Sequence, residues 1–257
     1  LTIAAKAGQL AGRDQAVKAT GTLTVDLPAL LAQPVAAGVL TLTGGEAVVE
    51  FVGSLQTTSE IHAKVSLANL ATNVDSKPHL LPVVAFEVRA DVGSDGKIAF
   101  NAPITFERGG RKSDLTVIGS VGPEKDKVRV IDAQLTSGQF IVDDARILGA
   151  VVPEKLPKKP GADQLEREAT PPWAGLQGAV SLSIKRVVYS DTFEVTNLAG
   201  RLQIDAGMVK LEGLQAGLGE GGRMNLNGAV TFNPETPQRY ALVADVAVKE
   251  FDVGPLF

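Results

Sequence analysis

A few arrangements in this chain have the residue types and spacing that chemistry needs. The run Gly217-Leu218-Gly219-Glu220-Gly221-Gly222 has the G-x-G-x-x-G spacing of a dinucleotide-binding turn. That turn works only where the glycines open a helix whose N-terminus meets the pyrophosphate. Arg223-Met224-Asn225-Leu226-Asn227 follows instead and alternates like a strand, so a glycine-rich hairpin is expected here. Zinc needs three or four converging ligands, and the chain offers two histidines, His62 and His79, and no cysteine. His62 shares the polar face of its strand with Lys64 and Ser66, His79 follows Pro78 in an expected loop, and neither is expected to be paired. No serine sits in a nucleophile turn that would build a Ser-His-Asp triad.

Carboxylates are plentiful, with Asp and Glu totalling 29. A glycosidase pair would need two of them facing across a cleft, one with a raised pKa. Most fall in turns, at caps or on polar strand faces, and Asp91 to Gly96 lacks the alternating ligands of a calcium loop. A carbohydrate-active enzyme on a β scaffold is therefore the remotest reading. The expectation is no catalytic residue, no metal site and no cofactor.

Composition agrees with this sparse chemistry. The net charge is -4 with Lys and Arg scattered, so no positive stripe is available to neutralise a phosphate backbone and no nucleic-acid partner is expected. The lack of cysteine excludes disulfides and thiolate catalysis but leaves the compartment open. Hydrophobic residues make up 44% while aromatics reach only 5%, so apolar surface must come from Val, Leu, Ile and Ala, which suit pleated sheets. No apolar run approaches the roughly eighteen residues of a membrane span, and no basic-then-apolar leader opens the chain.

The elements that position these residues are mostly strands. Ile61, Ala63, Val65 and Leu67 alternate along one face, and the same period recurs at Ile98 to Phe100, Ile104 to Phe106, Leu115 to Val117, Val180 to Ile184, Leu202 to Ile204, Met224 to Leu226, Val230 to Phe232 and Tyr240 to Val248. Short turns such as Ser94-Asp95-Gly96, Gly109-Gly110, Ala206-Gly207 and Asn233-Pro234 predict antiparallel hairpins and meanders. Helix is expected only where an apolar residue, an Asp and apolar residues four and five positions on recur: Val25-Asp26 with Leu30-Leu31, Val142-Asp143 with Ile147-Leu148, and Phe251-Asp252 with Leu256-Phe257. Asp is a favoured N-cap, an apolar residue before it can staple onto the fourth helical residue, and Pro28 and Pro255 suit a first turn.

The same number of residues separates Gly119 from Asp143 and Gly228 from Asp252, each interval following a similar strand, which points to one β module used at least twice. Between Pro153 and Pro172, five prolines and a mixed charge run replace the alternation, predicting an exposed linker. The expected division is thus β-rich modules over residues 1-152, a linker over 153-172 and a β module over 173-257. The chain ends where a third helix should begin and starts without Met, so it is expected to be part of a longer protein.

The C-terminal strands carry a long aliphatic face: Val180, Leu182, Ile184, Leu202, Ile204, Val209, Leu211, Met224, Leu226, Val230, Phe232, Leu242, Val246 and Val248. Sealed in a sandwich, these residues would be ordinary core. Left open on a curved sheet, they would be a lipid or partner surface.

The stretch from Trp173-Ala174-Gly175-Leu176-Gln177-Gly178-Ala179-Val180 to Leu198-Ala199-Gly200-Arg201-Leu202 closely resembles the C-terminal region of AsmA-like proteins, as do Leu211-Glu212-Gly213-Leu214-Gln215-Ala216-Gly217-Leu218 and Gly221-Gly222 with Asn227-Gly228. Ser113-Asp114-Leu115-Thr116-Val117-Ile118-Gly119 resembles the family more loosely. The resemblance implies a mainly β fold of repeated antiparallel meander modules, forming a curved, elongated sheet or groove with short capping helices. It further implies a periplasmic segment of a Gram-negative envelope protein anchored in the inner membrane by a helix outside this chain. Phospholipid acyl chains would be its partners, and phospholipid transport or outer-membrane assembly its role, without catalysis. The alternative is a structural or protein-interaction β-sandwich module of the cell envelope.

Overall fold

The computed structural model describes residues 2–7, 17–32, 42–55, 59–74, 77–149, 170–236 and 239–251. In chain order the elements are β1 (Thr2–Ala7), β2 (Val17–Asp26), α1 (Leu27–Leu31), β3 (Gly44–Leu55), β4 (Ser59–Val74), β5 (Lys77–Leu80), β6 (Val83–Val92), β7 (Ile98–Arg108), β8 (Arg111–Val121), β9 (Arg129–Ser137), β10 (Phe140–Ile141), α2 (Val142–Gly149), β11 (Leu176–Val188), β12 (Glu194–Asp205), β13 (Met208–Leu218), β14 (Gly222–Phe232) and β15 (Tyr240–Lys249). The chain is mainly β, and the hydrogen-bonded strand order is β1-β2-β3-β4-β6-β7-β8-β9-β11-β12-β13-β14-β15. Among the described residues it is an unclosed, mostly antiparallel meander with two short helices, and the period-two runs and short turns predict its strands and hairpins. The pairing of β9 with β11 is parallel. A parallel neighbour cannot be reached by a tight hairpin, and residues 138–175 make that crossover.

The chain divides into two compact units, Leu1–Thr116 with Ile141–Pro157, and Val117–Phe140 with Lys158–Phe257, so the division passes through β8. The expected linker over 153-172 lies almost wholly outside the described residues.

In the first unit, β4 is long enough to pair with two successive partners, β6 along Ser59–Leu67 and β5 along Ala71–Val74. Asn69, in the left-handed region at φ 54°, divides the two stretches. Odd-numbered residues of β3 and β4 form one apolar face, which is sealed at one end: Leu70, Leu81 and Val84 are buried among Leu27, Leu42, Leu67, Phe86, Ile104 and Phe106. Towards the other end Phe51 and Ile61 stay exposed. Pro103 lies mid-strand in β7, where it has no N–H to donate, and the β6–β7 ladder skips from Phe86–Ile104 to Arg89–Asn101 around it.

The first Asp cap is as expected: Asp26 Oδ1 accepts from Ala29 N at 2.8 Å and Pro28 lies in the first turn. The staple differs, since Leu30 is exposed and Leu27 provides the packing. At the second repeat α2 begins at Val142, so Asp143 stands inside the first turn, 3.8 Å from Arg146, where a carboxylate favours the helix dipole. Asp144 is the buried one. Its Oδ1 accepts from Arg108 Nε at 2.9 Å, and nearby the buried Ser113 Oγ accepts from Ile141 N at 3.0 Å, which ties α2 to β7 and β8. The third copy, at Asp252, lies outside the described residues.

Candidate functional site

In the second unit the register gathers the whole aliphatic set on one face. Ile204 stands opposite Val209, Val209 opposite Val230, and Val230 opposite Leu242, a row across four strands. Val180, Leu202 and Leu211 form a second row, Leu226 with Val246 and Met224 with Val248 extend the face along β14 and β15, and Phe232 meets Tyr240 at one end. Alternation along each strand places Leu182 and Ile184 on the same side as Val180. The opposite side of the sheet carries Lys185, Arg201, Gln203, Lys210, Glu212, Arg223, Asn225 and Asp245.

Simple alternation misses part of the face. Leu214 lies opposite Leu226 and so joins Leu211 on the apolar side, although the two are three positions apart. Gly213 makes this possible. It sits at φ 58° in a register shift of β13, and its N–H donates to Asn227 Oδ1 at 2.7 Å, so one extra residue re-aims the strand. The Leu-x-Gly-Leu spelling was the available signal.

The face is only partly covered. Of the fourteen apolar positions, Ile184 alone is buried; the others keep solvent exposure, rising to 47% at Val248, 58% at Val246 and 73% at Leu242. A sandwich core would leave such residues near zero.

Aromatic groups bridge its two ends. In strand order β11 and β15 are four steps apart, about 19 Å across a flat sheet. Yet Trp173, in the turn before β11, sits with its ring 6.2 Å edge-on from Tyr240 of β15, and Tyr240 packs 5.2 Å from Phe232. At the other strand ends Phe193, from the β11–β12 connection, lies 5.8 Å from Phe251 and 6.1 Å from Tyr189. The most exposed part of the face is its β15 side, at Leu242, Val246 and Val248.

The sites that chemistry suggested resolve as structure. Gly217 and Leu218 end β13, Gly219 to Gly221 turn, and Gly222 begins β14, so the G-x-G-x-x-G run is a hairpin with no helix behind it. His79 belongs to β5 opposite Thr72, not to a loop. His62 has a partner after all: its Nε2 lies 2.9 Å from Glu87 Oε1, which also takes Arg89 Nη2 at 2.6 Å. Among the described residues no group of three or more His, Asp or Glu converges as a metal site, and no helix is long and apolar enough to cross a membrane.

The Arg89 hydrogen bond, helped by His62, holds the Glu87 carboxyl below its ordinary value of 4.5, opposite to the shift a general acid needs. A folded-state pKa lowered in this way stabilises the fold above the unfolded value and ceases to do so as pH falls through the folded one. Acid titration of stability should therefore show a limb beginning below about pH 4.5 that Glu87→Gln weakens. An unchanged acid limb in that variant would remove Glu87 from the account.

No family model, no curated protein and no solved structure matches the chain.

Proposed function

We propose that this chain is a non-enzymatic segment of an AsmA-like envelope protein that shields phospholipid acyl chains along the aliphatic face of its second unit. The parent protein would stand in the periplasm, held by the inner membrane of a Gram-negative bacterium, and support phospholipid transport or outer-membrane assembly. One observation carries the reading: fourteen apolar residues on a single face, thirteen of them still accessible. Soluble monomers rarely keep contiguous apolar surface of this extent without a ligand or partner for it.

The chemistry of that face suits an acyl chain. Away from Tyr240 and Trp173 at one end, it is lined by side chains that offer dispersion contacts, so affinity would be spread along its length at about 0.8 kcal/mol per buried methylene. Distributed contact of this kind retains a chain while letting it slide. A sandwich module would need a second layer over these residues, and their exposure speaks against one.

Fatty-acid binding over a chain-length series tests the reading. Affinity should rise roughly fourfold per added methylene until the face is filled. Equal affinity for short and long chains, or none for either, would contradict it.

A further inference from the structure

Trp173 is the single tryptophan of the chain, and its indole Nε1–H is buried without a hydrogen-bond partner. Buried indole N–H groups normally find an acceptor, and one left unpaired carries the full cost of its desolvation. The ring sits at one end of the aliphatic face, edge-on to Tyr240, which stands opposite Phe232 in the last pair of β14 and β15. The hydrocarbon side chains of the face offer this donor no acceptor.

We infer, building on the lipid-shielding reading above, that Trp173 marks the polar end of the lipid site. Its Nε1–H donates to a carboxyl-end oxygen of the bound acyl chain, the ester carbonyl in a phospholipid, and the chain runs from there towards Phe193 and Phe251. The oxygen takes its place beside the indole by displacing the ring of Tyr240, which is 45% exposed.

Charge favours this direction over the reverse. At the Phe193 end, the β11–β12 and β13–β14 connections carry Asp191 and Glu220 with no basic residue, and Glu250 follows β15. Arg186 there is paired with Glu194 at 2.6 Å, and Arg223 and Lys249 stand opposite one another on the other side of the sheet. A phosphate or carboxylate at that end would meet like charge. The Trp173 end is mixed: Lys125 and Lys127 of the β8–β9 turn, with Arg239 before β15, offset Glu124, Asp126 and Glu235. That turn is held at this end by Arg129 N, which donates to the Gly175 carbonyl at 2.8 Å.

From Tyr240 to Val248 the face runs about 26 Å along β15, at about 3.3 Å per residue, so a label on one end of a bound chain is distinguishable from a label on the other. Trp173 emission reports its own end alone. Stearic acid carrying a nitroxide beside its carboxyl should quench Trp173 several-fold more strongly than stearic acid carrying one at its methyl end. Trp173→Phe keeps a ring against Tyr240 and removes the N–H donor. In displacement of a fluorescent fatty acid, this variant should bind methyl stearate roughly fivefold more weakly than wild type and octadecane equally well. Circular dichroism checks that it keeps its strand content. Stronger quenching from the methyl end, equal quenching from both, or a Trp173→Phe variant that treats ester and hydrocarbon alike would overturn the inference while leaving lipid binding on the face intact. No binding of any of these probes to wild-type protein would contradict the lipid-shielding reading and this inference with it.

Discussion

Gly178→Ala should destabilise the second unit by about 3 kcal/mol or more, because two independent requirements meet at that residue. Gly178 lies at φ 136°, where an L side chain is strained, and an added Cβ would collide with the Ile131 carbonyl oxygen. The obstacle is backbone, so no rotamer change relieves it. Ile131 is also the register partner of Gly178 in the parallel β9–β11 pair, and the substitution would force apart the strands that join β9 to the C-terminal meander. The single tryptophan, Trp173, lies in the turn leading into β11 and reports this unit by fluorescence. Its urea transition should move to markedly lower concentration in Gly178→Ala. Gly109→Ala, at φ 58° with open space around the added Cβ, should cost only about 1 kcal/mol. Equal midpoints for wild type and Gly178→Ala would mean that β9 and β11 are not packed as described.

Local pattern made the strands legible and long-range pairing did not. Ile61 to Leu67 alternates so regularly that both face and conformation follow from the period. Asp26 spelled its own cap. The parallel β9–β11 pairing left no comparable trace, because it depends on contacts between strands separated by 38 residues of connection and not on neighbours. Asp143 and Asp144 are chemically alike in the sequence; which one is buried was decided by the position of Arg108, on another strand. His62 gained its partner the same way, from Glu87 on β6.

For the candidate site, alternation assigned the face but not its ends. Leu214 was hidden by the extra residue at Gly213, and the bridging pairs Trp173–Tyr240 and Phe193–Phe251 are visible only once strands far apart in order are brought together. Nor does period two reveal whether a face is covered. That depends on whether another layer exists, and the exposure of Leu242 and Val246 supplied what the alternation lacked.

The second large effect follows from that exposure. Leu226→Asp combined with Leu242→Asp places two carboxylates on the aliphatic face, one half-buried mid-sheet and one largely exposed. In a sealed core unpaired carboxylates would unfold the chain. On an uncovered face they remain hydrated, so Leu242→Asp should cost below about 1 kcal/mol and Leu226→Asp about 2 kcal/mol, and the double variant should stay folded. An acyl chain laid across them would have to desolvate both charges, and its binding should be lost.

Native mass spectrometry of the protein purified from membranes, beside the folded Leu226→Asp, Leu242→Asp variant, tests the lipid-shielding account most directly. Wild-type protein should carry phospholipid-sized adducts, confirmed by extraction, and the variant should carry none. Wild-type protein free of lipid, or adducts equally abundant on both, would contradict it.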